Sequence, residues 1–103
     1  MARRNGAFYS ATVATTSEQT AHTVQGTNEG RRGLTTYTKA SAAGTAKWSY
    51  VDPEGTVSEL ATQAVAAGVL AVKDFDFHCP EIKVTWTSDG ATSLTVTQET
   101  FVY

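Results

Sequence analysis

The chain has 103 residues, enough for one domain built on one core. Charged residues make up 17%, below the ~25% usual in soluble domains, and the net charge is −2. This excludes the clustered basic profile of a nucleic-acid-binding domain, and no apolar run approaches the length of a membrane span.

Threonine, serine and alanine take the place of the missing charge. Threonine is β-branched and suits a pleated surface, so the composition leans toward all-β. The single cysteine, Cys79, excludes an intrachain disulfide. The start "MARRNG" is positive but no apolar stretch follows, so residues 1–6 read as a flexible N-terminal arm rather than a signal peptide. Residues 7–103 then form one sandwich domain of a soluble protein made in a cytoplasm.

"AFYSATV" (7–13) reads as the first strand, and the polar "TTSEQT" that follows reads as a turn. "AHTVQ" (21–25) is a short second strand. "GTNEGRRG" (26–33) holds three glycines and is the clearest long loop. "LTTYTKA" alternates strictly around Tyr37. In "AKWSYV", Ala46, Trp48 and Tyr50 share one face, the period-2 pattern of a half-buried strand. "DPEG" (52–55) is a turn, with Pro53 presetting φ and Asp52 and Gly55 suited to its ends.

"TVSELATQAVAAG" carries two readings. Thr56 and Glu59 make a helix capping box, with Leu60, Ala64 and Ala67 as a stripe. Strands on both sides favour instead a hairpin turning at Ala66-Ala67-Gly68. "VLAVKDF" is a strand, and "EIKVTWT" places Ile82, Val84 and Trp86 inward. Asp89-Gly90 between alternating runs predicts a C-terminal hairpin. In the last strand the apolar face switches from Leu94 and Val96 to Phe101 and Tyr103, which predicts a bulge near Gln98-Glu99. The count is seven to eight short strands in a single antiparallel β-sandwich, jelly-roll or Ig-like. Its predicted core is Trp48, Trp86, Leu34, Leu70, Val72, Ile82, Val84, Leu94 and Val96.

The chemistry is sparse. The candidate metal ligands are His22, His78 and Cys79 with Asp74 and Asp76, but a structural zinc site wants four ligands in close pairs and the two histidines lie 56 residues apart. Asp74, Asp76 and His78 share one strand face and read as the solvent side of a strand backed by Phe75 and Phe77. His78 and Cys79 are adjacent and would point to opposite faces, so they make no activated thiol. No Gly-x-Ser-x-Gly elbow or phosphate loop occurs. No catalytic, cofactor-binding or metal residue is predicted, and the chain is read as a non-enzyme. Tyr9, Tyr37, Tyr50 and Tyr103 would make a sugar platform only if two or three rings lay exposed in a row. The doublets Arg3-Arg4 and Arg31-Arg32 hold half of the eight basic residues. They read either as solvated charge or as contacts with an acidic partner surface.

Residues 34–97 resemble small structural proteins of tailed bacteriophages of the decoration or cement kind. The shared pattern falls on Ala43-Gly44-Thr45, Trp48, Asp52 to Gly55, Ala66-Ala67-Gly68, Ile82 to Thr87 ("IKVTWT") and Leu94 to Thr97. The resemblance implies a β-sandwich used in the virion, bound to the major capsid protein or another virion protein. Closed symmetry is the default for self-association and predicts a homo-oligomer, and the charge, hydropathy and motifs above predict no nucleic acid, membrane or cofactor. Neck, tail or fibre components share the pattern, and a carbohydrate-binding adhesive module is the alternative from another class. The N-terminal third lies outside the resemblance. Its arm, with Arg3 and Arg4, and the loop with Arg31 and Arg32 are the expected partner contacts.

Overall fold

The computed structural model describes residues 6–25, 33–76, 81–90 and 93–102, which form eight strands and no helix. They are β1 (Gly6–Val13), β2 (Gln19–Gln25), β3 (Gly33–Ala40), β4 (Gly44–Val51), β5 (Val57–Val65), β6 (Ala71–Asp76), β7 (Glu81–Ser88) and β8 (Leu94–Val102). They pair antiparallel in two four-stranded sheets, β1-β8-β3-β6 and β2-β7-β4-β5. Except for the β4–β5 hairpin, successive strands cross from one sheet to the other. Of the two predicted sandwich types, this order is the jelly roll.

The β4–β5 turn forms as its residues dictate. The Asp52 carboxylate accepts hydrogen bonds from the backbone N–H groups of Glu54 and Thr56, both at 2.9 Å. Gly55 closes the turn at φ +90°, where a side chain is disfavoured. Segment 57–65 is a strand, so the helical alternative does not form. A register shift between Trp48 and Ser49 leaves Leu60 as an extra residue that bulges out of β5.

Three expectations are corrected. β7 and β8 do not form a hairpin, because they belong to opposite sheets. Gly90 does not take the positive φ of a tight hairpin turn. Two alternating strands bury the same faces whether they lie side by side or face each other across a core, and alternation alone does not separate these cases. The predicted hairpin at Ala66-Ala67-Gly68 fails for the same reason: β5 and β6 lie in different sheets. β8 has no bulge either. Its pairing with β1 and β3 runs without a register shift, and Leu94, Val96, Gln98, Thr100 and Val102 all face inward. The apparent switch of face arises because the interior accepts polar Gln98 and Thr100.

Trp48, Trp86, Leu34, Ile82, Val84 and Val96 are fully buried, with Leu94 beside them. Each contributes roughly 1.5–3 kcal/mol. Leu70 and Val72, expected in the core, are 55% and 48% exposed. Leu70 lies in the crossing before β6, and Val72 pairs with Tyr37 on the outer face. Gly44 sits where a side chain would meet the Trp86 ring and the Thr87 carbonyl oxygen. The crossings at one end tie together. The Ser41 N–H donates to the Thr95 carbonyl, the Thr95 N–H to the Ser41 hydroxyl, and the Gly68 N–H to the Ala40 carbonyl.

Candidate functional site

Arg3, Arg4, Arg31, Arg32, His78, Cys79 and Tyr103 lie outside the described residues, as do the arm up to residue 5 and the loop at 26–32. Asp74 and Asp76 are exposed on β6, on the solvent side as read from the sequence. Among the described residues no three acidic, His or Cys side chains come together.

His22, weighed from the sequence only as a metal ligand, is a titratable group inside the sandwich. On β2 it faces inward, and its Nε2 lies 2.7 Å from the Thr100 hydroxyl of β8. Thr100 is 2.8 Å from the Thr36 hydroxyl of β3, and the Trp48 indole N–H of β4 donates to Thr36 at 3.0 Å. This hydrogen-bonded chain crosses the core and joins the two sheets. Beside it, the Gln98 amide donates to the Thr38 hydroxyl at 3.2 Å. Burial pushes the His22 pKa down to about 4, because the interior disfavours the imidazolium. The ring is therefore neutral at pH 7 and serves the interior of the sandwich.

The two outer faces differ in chemistry. On the β2-β7-β4-β5 sheet the cross-strand rows read Thr20–Thr85–Lys47–Thr62 and Thr23–Lys83–Ser49–Glu59. Glu18, in the β1–β2 crossing, reaches over this face. It meets the Lys47 ammonium at 2.7 Å and accepts a hydrogen bond from Thr85 at 2.8 Å. The bond to Lys47, with help from Thr85, lowers the Glu18 carboxyl pKa. The centre of this face is polar and holds this ion pair, while Val57 and Leu60, each 47% exposed, lie on its edge strand β5.

The outer face of β1-β8-β3-β6 is different. One row reads Phe8–Glu99–Tyr37–Val72 and the next reads Gly6–Phe101–Thr35–Asp74. Phe8 is 63% exposed and Tyr37 38%. The Tyr37 and Phe101 rings meet edge-on, with centroids 6.0 Å apart at 81°. Toward the other end the same face turns to hydroxyls, with Ser10, Thr12, Thr95 and Thr97 beside Lys39. A shallow depression of about 510 Å³ opens there between Lys39, Ser41, Gly68, Thr95 and Thr97. Tyr9 and Tyr50, two of the four rings weighed for a sugar platform, instead pack against the core. The sequence signal for the apolar face was present in Phe8, Tyr37 and Phe101. Reading a parity switch into β8 turned Phe101 inward and hid it.

No family model and no curated protein matches the sequence. Solved structures do share the fold. The phage PBSX exported protein XepA superposes with a TM-score of 0.76 at 15% identity, over 94% of this chain. The chain spans 36% of that protein. The Yersinia pseudotuberculosis-derived mitogen superposes with a TM-score of 0.64 at 14% identity, covering 98% of this chain and 88% of its own. At these identities the likeness establishes the jelly-roll scaffold, and one protein built on that scaffold is phage-associated.

Proposed function

We propose that this protein is a non-enzymatic structural component of a phage particle, a decoration protein that binds the outer shell of major capsid protein and stabilises it. The observation that carries this reading is the contrast between the outer faces. The centre of one is polar, with the Glu18–Lys47 ion pair across it and its exposed Val57 and Leu60 only on the edge strand β5, while the central row of the other exposes Phe8, Tyr37 and Val72 beside Phe101. Exposed apolar patches of this kind mark association surfaces. A decoration protein needs a rigid scaffold, segments that reach the shell and a surface for its own copies. The jelly roll supplies the scaffold. The Arg3-Arg4 and Arg31-Arg32 doublets supply planar cations suited to carboxylates and backbone carbonyls. The structural likeness to a phage-associated protein supports the same reading. Rings at 81° do not form one flat platform, which weighs against a sugar-binding module.

The test compares particles assembled in cells with and without this chain. The chain is expected in the particle fraction in fixed ratio to the major shell protein, and shells carrying it are expected to open at a higher temperature. Deleting residues 1–6, or making Arg31→Ala with Arg32→Ala, is expected to lower occupancy, most at low salt, where the arginine charges are least screened. A chain absent from particles overturns the virion reading. A chain present only at tail stoichiometry replaces decoration with a neck, tail or fibre role.

A further inference from the structure

We propose that the outer face of the β1-β8-β3-β6 sheet is a dimer interface that packs against the same face of a second copy, about a two-fold axis running along the strands between β8 and β3. This rests on the structural-component reading only in taking association to be the protein's work.

The argument starts from the order of residues across the sheet. The central row reads Phe8–Glu99–Tyr37–Val72, that is apolar, acid, phenol, apolar. A two-fold axis along the strands reverses this order on the facing copy. Phe8 then meets the partner copy's valine at the position of Val72, and Glu99 meets its tyrosine at the position of Tyr37. Both contacts occur twice, as an isologous interface requires. The phenol can donate to the carboxylate, whose two oxygens accept several bonds. In the neighbouring rows Phe101 comes opposite Thr35, and Lys39 comes opposite Thr97. Like charges therefore do not meet on the central rows. A two-fold axis perpendicular to the strands through the central row would set Glu99 against Glu99, which costs energy.

Exposure points the same way. Phe8 and Val72, on the two edge strands of this sheet, are 63% and 48% exposed. Reversal lays each edge on the other, so the two most exposed apolar groups of the row cover each other. Four strands about 4.8 Å apart, three of them eight or nine residues long and β6 six, offer roughly 500 Å² per copy and about 1,000 Å² in total, the size of a weak, concentration-dependent dimer. Two twisted sheets pack face to face about 10 Å apart at about 30°, a geometry open to this face. The outer face of the other sheet, with Glu18 bound to Lys47 and Thr85 and its exposed Val57 and Leu60 confined to one edge strand, β5, has no such pattern.

The experiment is sedimentation of the full chain, followed by directed crosslinking in a Cys79→Ser background. The parent is expected to shift from monomer to dimer as concentration rises. Phe8→Lys with Val72→Lys, both at exposed positions, is expected to stay monomeric with an unchanged far-UV spectrum. Mixing a Phe8→Cys chain with a Val72→Cys chain and adding a short bismaleimide, which spans the gap between sheets about 10 Å apart, is expected to give one crosslinked heterodimer, whereas either chain alone crosslinks several-fold less. A parent that is monomeric at every concentration overturns the proposal. So does a dimer that survives the double lysine change, or one in which Phe8→Cys crosslinks best to itself. A dimeric chain absent from particles overturns the decoration reading alone, and a monomer that still occupies shells overturns only the dimer.

Discussion

His22 and Thr100 lie 78 residues apart in sequence, and their side chains meet at 2.7 Å inside the sandwich. The contact joins β2 of one sheet to β8 of the other, and through Thr36 it reaches Trp48. A neutral imidazole is thereby built into the seam that holds the two sheets together.

Stability should depend on pH through this ring. Its folded pKa of about 4 lies below the unfolded value near 6.5. Between those values the unfolded chain binds the proton and the folded chain does not, so stability falls as pH drops from about 6.5 to about 4. The loss should reach about 2–3 kcal/mol. Urea unfolding of the parent and of His22→Gln, at pH 7.5, 5.5 and 4, checks this. The variant should lose most of the slope in that window. Equal slopes would place the titration elsewhere. Glu18 acts in a lower window. Its lowered pKa favours the folded state above the unfolded carboxyl value, and that benefit is lost on further acidification.

Thr36→Val keeps shape and removes the hydroxyl that accepts from Trp48 and meets Thr100. Burying those polar groups with the bond unmade should cost about 1–3 kcal/mol. Val102→Ala, at the margin of the core, would not disturb the network and serves as a packing control. A shift in tryptophan fluorescence is expected only for the threonine change.

Gly44→Ala should be among the most damaging single-methyl additions. The new Cβ would lie 2.6 Å from the Thr87 carbonyl oxygen and 2.7 Å from a carbon of the Trp86 ring. Neither the backbone nor a fully buried indole yields easily, so a loss of about 1–3 kcal/mol or more is expected. Thermal unfolding against the parent measures it.

The turns separate cleanly. Gly55→Val forces a β-branched residue to φ +90° and should cost at least about 1–2 kcal/mol. Gly90→Val should be nearly neutral, because Gly90 lies outside the positive-φ region and its side-chain position is open. Equal losses at both sites would show that the Asp89–Gly90 segment is strained after all.

The sequence by itself determined the strands, because side-chain parity is a local property. Alternation around Tyr37, Trp48 and Trp86, with Pro53 and Gly55 fixing one turn, is enough to place strands and their inward residues. It also limited the chemistry, since ligand sets need residue types that the chain holds thinly. Only the tertiary structure decided which sheet each strand joins. β7 and β8 carry hairpin-like patterns, yet they face each other across the core, because burying an apolar face is satisfied equally by a neighbour beside it or opposite it. The tertiary structure also decided that Gln98 and Thr100 belong inside. A polar residue at an inward position is stable only when distant partners meet it, and Thr38, Thr36 and His22 are brought there by the fold. With β8 thus unbroken, Phe101 turns outward beside Tyr37, and the apolar face exists only because the four strands β1, β8, β3 and β6 lie in register.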